Sequence, residues 1–252
     1  MKSIKHRRIS ILLTVALVAL GIRMLAAQQA YPCSGDAGHF VQHGISLAND
    51  IPGSMSTYWS QGMIGIAAVA ESAGLDPRIA VQAATILAGS MVAVFMSAIV
   101  SLITGSLWSG FFAGIFCACN STFVQYSVTG YSESVYLALL LLGVCLGLSV
   151  KGDGLSLRTF VMSLASGAII GVSGYFKGLD AAVAAASFAL YIAYMGFRQS
   201  RRRTVNALTI VAGAFVVMLP LCIFTYQHTG VFTPGSKGGG NFVLGQDWKD
   251  SK

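Results

Sequence analysis

Seven long apolar stretches divide the chain and are separated by polar segments. Each stretch is near the ~20 residues with which a helix crosses a hydrocarbon core of ~30 Å. The pattern predicts an all-α polytopic membrane protein of about seven transmembrane helices, and the short connections favour a single membrane domain over residues 1–252. The predicted spans are 9–27, 79–103, 107–126, 132–150, 159–175, 179–197 and 204–226.

Two of the connecting segments are long. The first, at about 28–78, has the apolar spacing of two short helices, Asp36–Ala48 and Met63–Ala73. A loop of this length in a compact protein is usually functional or disordered. The aromatic and amphipathic content of this one favours ordered helices that lie along the outer membrane surface. The second is a glycine-rich tail at 227–252, which we also expect on the outer side.

Charge fixes the predicted orientation. Only 10% of the residues are charged and the mean hydropathy is +0.71, which excludes an ordinary soluble domain with about 25% charged residues. Ten of the 16 Lys and Arg residues fall in three alternate gaps, whereas every Asp and Glu except Asp153 falls in the others. Basic residues stay on the cytoplasmic side, so we expect the N-terminus inside and the C-terminus outside. The ten basic residues are Lys2, Lys5, Arg7, Arg8, Lys151, Arg158, Arg198, Arg201, Arg202 and Arg203.

The net charge of +7 does not indicate nucleic-acid binding. The positive charge is spread over short cytoplasmic segments, where it meets anionic lipid headgroups, and no basic face is left to follow a phosphate backbone. Cys117 and Cys119 point in different directions on a helix, so we expect packing residues and not a metal site.

The first span has two interpretations. Its basic start and apolar run from Ile9 to Leu20 also resemble a cleavable signal peptide. We favour an uncleaved helix, because the apolar run continues past Arg23. We expect Arg23 to extend its charge toward the headgroups.

Three residues of the first outer loop share one face if 36–48 is helical, because spacings of three and four bring side chains together. They are Asp36, His39 and His43. Such a group suits a general base beside imidazoles or a divalent metal site. It equally suits the polar face of an interfacial helix whose first-turn carboxylate complements the helix dipole.

Further charged residues stand at the outer ends of the later spans. Glu133 and Asp180 open the fourth and sixth spans, and Lys177 precedes Asp180. A cation at the outer mouth of an apolar bundle suits the phosphate of a lipid-linked substrate. Lys237, in a glycine-rich stretch, could add backbone amides for an anion. The ordinary alternative is again dipole complementarity in a first helical turn.

Glycine pairs at i and i+4 recur in the third, fourth and fifth spans. Small residues at this spacing let helices approach closely in lipid. They predict a tight bundle and carry no chemistry. The pairs are Gly110 with Gly114, Gly143 with Gly147, and Gly167 with Gly171.

Four stretches, in this order and on this topology, resemble the membrane-embedded C-type glycosyltransferase superfamily, which includes protein O-mannosyltransferases and bacterial aminoarabinose transferases. The likeness covers nearly the whole chain. The stretches are Asp36-Ala-Gly-His-Phe40, Tyr58-Trp-Ser-Gln-Gly-Met-Ile-Gly-Ile-Ala67, Gln125-Tyr-Ser-Val-Thr-Gly-Tyr-Ser-Glu133, and Pro220 to Pro234 followed by Ser236-Lys-Gly-Gly-Gly-Asn241.

The resemblance implies transfer of a sugar from a polyprenyl-phosphate donor to a lipid, glycan or protein acceptor at the outer face of a bacterial plasma membrane. It implies that Asp36 is the base that deprotonates the acceptor, with inversion, and that Lys177 contacts the donor phosphate. No cofactor is implied, although a divalent metal stays open. The remaining residues expected to bind substrate are His39, His43, Tyr58, Glu133, Asp180 and Lys237.

The chain departs from the family pattern at several points. Asp36 lacks the adjacent acidic residue, Gln61 and Ile64 replace prolines, and Phe224-Thr225 replaces an Arg-Asn pair. Members also continue for several spans beyond the glycine-rich loop. We therefore expect a core module, for which a partner subunit could supply the further helices. A non-catalytic assembly partner and a small transporter are the alternatives.

Overall fold

The computed structural model describes residues 2–31, 33, 35–51, 57–150, 156–199 and 202–234. Within these ranges all regular structure is α-helical and no strand occurs. This confirms the predicted all-α class. The helices are α1 (Lys2–Ala27), α2 (Asp36–Ala48), α3 (Gln61–Ser72), α4 (Pro77–Thr104), α5 (Leu107–Cys119), α6 (Ser121–Val128), α7 (Ser132–Ser149), α8 (Leu157–Ser173), α9 (Gly178–Gln199) and α10 (Arg202–Thr229).

Several of these helices are long and apolar enough to cross a membrane, so the chain has the helices of a membrane-embedded protein. In the described residues four helices meet this standard by themselves: His6–Ala27 within α1, α4, α7 and Thr204–Thr229 within α10. The α5–α6 pair meets it together, while α8 and Gly178–Tyr194 within α9 are shorter apolar helices. The total of seven spans stays a prediction.

The predicted third span is a broken helix. The α5 and α6 axes differ by 56°, with Asn120 at the junction. Its Oδ1 accepts a hydrogen bond of 3.2 Å from the Phe123 amide and caps α6. A side-chain cap of this kind starts a new helix where the first one ends. The polar residue Asn120 therefore divides the predicted span.

Both short helices of the first outer loop are present. α2 has the predicted bounds, and α3 starts at Gln61, two residues before the predicted Met63, because the Ser60 hydroxyl accepts from the Met63 amide and caps the helix. The two helices pack closely at Gly44, where a Cβ atom would lie 2.9 Å from the Ala68 nitrogen and the Ile64 oxygen. A small buried cluster that includes Phe40, Met63 and Val81 joins them to α4.

α7 connects two groups of helices. On one side a buried cluster of α1, α4 and α5 residues includes Ala138 of α7. On the other side Tyr136 of α7 packs in a cluster with α8, α9 and α10. This arrangement brings the starts of α2, α7 and α9 toward the same cleft.

The glycine pairs lie at helix contacts, as the sequence predicted. A Cβ atom on Gly114 would meet α4 and α1, one on Gly143 would meet Ile170 of α8, and one on Gly167 would meet the Ile210 backbone of α10. Close approach of this kind replaces the hydrophobic effect as the source of packing energy in lipid.

Arg23 differs from the expectation. Its side chain is 0% exposed and points into the bundle, not toward the headgroups. It donates to the Ala19 and Ala118 carbonyls at 3.1 and 3.4 Å and to the Ser127 hydroxyl at 3.1 Å. Partners on α5 and α6 thus hold the guanidinium inside, so the snorkelling prediction was wrong.

Candidate functional site

Four helix N-termini border one cleft. α2 contributes Asp36, α3 contributes Gln61 with its cap Ser60, α7 contributes Ser132 and Glu133, and α9 contributes Gly178 to Asp180. Each helix N-terminus carries a partial positive charge from its unsatisfied amides. α2 and α7 have no side-chain cap. The Gly38 amide donates to the Gly35 carbonyl at 3.0 Å, and no N-cap side chain occupies the other first-turn amides. The empty volume of the cleft, including its open mouth, is about 780 Å³.

Lys177 supplies the cation that lines the cleft, and two carboxylates surround it. Its Nζ lies 2.9 Å from Glu133 Oε1 and 3.9 Å from Asp180 Oδ2. The Lys177 and Glu133 side chains are 33% and 25% exposed, whereas Asp180 is 59% exposed. The Glu133 pair is therefore the shorter and better shielded contact. An ammonium has three donors, so pairing with Glu133 leaves donors for a ligand.

Asp36 lines the same cleft as the Lys177–Glu133 pair. It is the first residue of α2 and is half-buried. The structure thus brings together four of the charged residues that the sequence singled out: Asp36, Glu133, Lys177 and Asp180. A carboxylate beside a cation and helix N-termini can accept a proton from a ligand while an anion is held nearby.

An aromatic wall closes one side of the cleft. Tyr58, Trp59 and Phe40 all line it. The Trp59 ring makes edge contacts with Tyr58 and Phe40 at centroid distances of 4.7 and 6.0 Å. Such flat apolar surfaces with a few polar groups are typical of ligand clefts. Tyr58 therefore joins the predicted residues that the structure brings to the site.

The two histidines stand apart from the cleft lining. His39 is exposed and stacks on Trp59, a residue of the aromatic wall, at a centroid distance of 4.5 Å and an angle of 11°. His43 is half-buried further along α2. In the described part of the chain no three His, Cys, Asp or Glu residues are grouped to hold a metal.

Residues near 175 shape the floor of the cleft and carried no sequence signal. Tyr175 and Phe176 line it, and the Tyr175 carbonyl accepts from the Gly62 amide at 2.9 Å. The Tyr175 hydroxyl donates to the Val217 carbonyl at 3.2 Å. Phe176 packs where any side chain at residue 62 would stand. Only the fold brings this turn against α3.

Gly62 also borders an apolar groove on the far side of α3. The groove runs between α3 and the start of α4, with an empty volume of about 870 Å³ including open space. Gly65, Val69, Ala73 and Leu75 are among its lining residues. Gln61 lines the polar cleft and Gly62, the next residue, lines the apolar groove, so the two lie side by side at the start of α3. Lys237, the last predicted site residue, lies outside the described residues.

Comparison of the chain with protein-family models, with curated proteins and with solved structures gave no match. The resemblance to the C-type glycosyltransferases consequently rests on the residues of the chain itself.

Proposed function

We propose that the chain is the core of a membrane glycosyltransferase that moves a sugar from a polyprenyl-phosphate donor to an acceptor at the extracytoplasmic face. The observation that carries the proposal is the cleft in which Asp36, the Lys177–Glu133 pair and four helix N-termini meet. It supplies a base and an anion site within one volume.

The anion site suits the donor phosphate. Helix N-termini bind phosphate through free amides and the aligned dipole, and α2 and α7 present uncapped first turns at the cleft. Lys177 adds a cation, and Glu133, 2.9 Å away, holds its ammonium in place but partly neutralises it. Positive groups in fixed positions stabilise charge that develops on a leaving group without further reorganisation.

The proposed reaction is a single displacement. Asp36 takes the proton of the acceptor nucleophile, and the nucleophile forms a bond to the anomeric carbon from the side opposite the phosphate. The bond between that carbon and the phosphate oxygen breaks, and its electron pair leaves with the polyprenyl phosphate. Inversion follows from the opposed attack. The base and the phosphate site each lower the barrier by a distinct physical effect.

The apolar groove suits the isoprenoid tail. It runs along α3, and its lining begins at Gly62, the residue after Gln61 of the cleft. A tail lying there buries apolar surface, while its phosphate reaches the helix N-termini. Each buried CH₂ contributes about 0.8 kcal/mol, so even a short section of the tail adds to binding.

The topology belongs to the same proposal. We propose seven spans: the four helices that pass the length and hydropathy test, the bent α5–α6 pair, and the apolar helices α8 and α9, which are shorter than the test requires. The basic residues then face the cytoplasm of a bacterial cell, and the cleft opens outside.

The test is transfer of labelled sugar from a polyprenyl-phosphate donor in membranes that contain the wild-type chain or the Asp36→Asn variant. Loss of the proton acceptor should lower the rate at least ~100-fold with equal protein in the membrane. Asp50→Asn is the matched control, since Asp50 follows the other end of α2 and does not line the cleft.

Equal labelling in wild-type, Asp36→Asn and empty-vector membranes would contradict the proposal. The chain would then be an assembly partner that keeps a cleft without transfer activity.

A further inference from the structure

Arg23 is a buried cation that the proposed chemistry does not use. It lies on α1, is 0% exposed, and in the described part of the chain no carboxylate pairs with it. Its Nη2 has no hydrogen-bond partner among the described residues. A charged side chain inside a membrane bundle is costly and marks a functional position by default. The hydrogen bonds of Arg23 indicate which helices it connects.

The Ser127 hydroxyl connects Arg23 to two other helices. It donates to the Phe123 carbonyl at 2.7 Å and accepts from Arg23 Nε at 3.1 Å. Ser134 Oγ lies 3.2 Å from the same oxygen. Because a hydroxyl has one proton and two lone pairs, Ser134 must be the donor in that pair. Arg23 thus links α1 through Ser127 to the first turn of α7.

Further bonds from α4 fix the end of α6. Thr85 donates to the Ser127 carbonyl at 2.6 Å, and Gln82 donates to the Val128 carbonyl at 2.8 Å. α4 leaves room for this arrangement only through Gly89, where a Cβ atom would lie 2.9 Å from Arg23 Nε and would collide with the Ser127 hydroxyl. The glycine and the arginine therefore belong to one built unit.

The turn that follows α6 touches the starts of both carboxylate-bearing helices. Gly130, with φ of +86°, lies against Cys33 and Ala37, the neighbour of Asp36. The Tyr131 hydroxyl lies beside Gly35. Two residues later Glu133 enters the cleft. The position of this turn sets both Asp36 and Glu133.

We infer that Arg23 is a positioning residue: from inside the bundle it locks the α6–α7 turn through Ser127, and the turn fixes Asp36 and Glu133 in the cleft. The uncompensated charge makes the lock strong, since hydrogen bonds from a charged donor exceed neutral ones. The lock is a property of the structure, and only its effect on sugar transfer rests on the proposed function.

The test is amide hydrogen exchange of the purified full chain in lipid nanodiscs. In Arg23→Met the amides of 129–136 and of 38–42 should exchange at least ~10-fold faster than in the wild type. The amides of 181–192 in α9 should not change. Arg23→Lys keeps the charge but places all its donors on one nitrogen, so it should restore part of the protection. A general loss of packing would produce no such pattern.

Ser127→Ala cuts the same link while Arg23 keeps its bonds to α1 and α5, and it should also loosen 129–136. It keeps the test valid if Arg23→Met does not fold. Ser97→Ala is the matched control, because Ser97 is equally buried and its hydroxyl has no partner among the described residues.

Unchanged exchange at 129–136 in folded Arg23→Met or Ser127→Ala protein would overturn the inference. Equal acceleration in α9 would do the same. Sugar transfer is measured separately: local loosening with no transfer in any variant, wild type included, would sustain the lock and contradict the proposed function.

Discussion

The ammonium of Lys177 lies 2.9 Å from the carboxylate of Glu133. Glu133 is in the first turn of α7 and Lys177 immediately precedes α9, 44 positions later in the chain. Each is partly shielded from solvent, and both line the cleft that Asp36 also borders. The pair neutralises the cation locally, so an anion that enters the cleft competes with Glu133 for Lys177. This competition makes the anion site measurable.

Glu133→Gln should strengthen anion binding. The variant removes the competing charge and keeps a side chain of the same size near Lys177. Since ion pairs with solvent access contribute up to ~1 kcal/mol, we expect up to ~5-fold tighter binding of an isoprenyl phosphate to the detergent-solubilised protein, measured by calorimetry at fixed ionic strength.

Asp180→Asn is the control for this measurement. Its carboxylate lies 3.9 Å from Lys177 and is 59% exposed, so the same charge change should alter affinity less. Lys177→Met should weaken binding. Equal or weaker binding in Glu133→Gln would mean that Glu133 does not compete with the ligand.

Gly44→Ala should loosen the contact between α2 and α3. Its new methyl group would lie 2.9 Å from backbone atoms of residues 64 and 68 of α3, which cannot move independently of their helix. Overpacking of this kind costs ~1–3 kcal/mol. We expect a lower thermal midpoint and faster proteolysis near α2.

Gly65→Ala, on the same helix pair, has open space around its Cβ position and should instead stabilise α3 by ~0.5–1 kcal/mol. A smaller loss in Gly44→Ala than in Gly65→Ala would contradict the close packing.

Gly167→Ala should disrupt the α8–α10 contact. A Cβ atom at this position would strike the Ile210 carbonyl and lie 2.8 Å from its carbon. Gly21→Ala on α1, where nothing lies within 4 Å of the new atom, is the control. The measurement is the fraction of folded protein by size-exclusion in detergent after a temperature series. We expect the Gly167→Ala protein to lose its folded peak at a lower temperature than the Gly21→Ala protein. Similar profiles for the two variants would disprove the contact.

Cys33 should react slowly with maleimide near neutral pH. Its side chain is buried under the turn at Gly130, and burial raises the pKa of the thiol to about 11. The reactive species is the thiolate, so labelling of the Cys33 peptide should rise about tenfold per pH unit up to about pH 11. An ordinary cysteine levels off near its pKa of ~8.5.

The raised pKa of Cys33 also makes the stability of the folded protein depend on pH. Because the native state disfavours the Cys33 thiolate, its contribution to stability is full below the unfolded pKa and is lost as pH rises toward about 11. Mass spectrometry of the labelled peptide across pH 7–11 checks the reactivity, with a cysteine-containing model peptide as control. A rate for Cys33 that levels off by pH 9 would show that the thiol is not buried as described.

Part of the site could be predicted from the sequence because of membrane topology. Antiparallel spans return every second connection to the same side, so Asp36, Glu133, Lys177 and Asp180 were expected on one face, and all four line one cleft. The histidines could not be placed in this way. Spacing puts His39 and His43 near Asp36 on a helix, but which face of α2 turns inward depends on Phe40 and Val41 packing against α3 and α4. That packing directs His39 onto Trp59.

Arg23 shows most clearly what could not be predicted from the sequence alone. A cation near the end of an apolar run is expected to reach the headgroups, and nothing near it in the chain indicates otherwise. The residue that holds it inside, Ser127, is 104 positions away. Its partnership exists only because Gly89 allows α1, α4 and α6 to meet.

The sequence by itself determined the helical class, the membrane character, the two short helices α2 and α3, and the grouping of Asp36, Glu133, Lys177 and Asp180. These properties follow from local hydropathy, helical periodicity and the alternation of spans, which act over ten to thirty residues. The break at Asn120 comes from a local side-chain cap, whereas the tertiary structure alone decided the Lys177–Glu133 pair, the aromatic wall and the burial of Arg23. Each of these depends on side chains far apart in sequence, whose contact is set by close packing between helices.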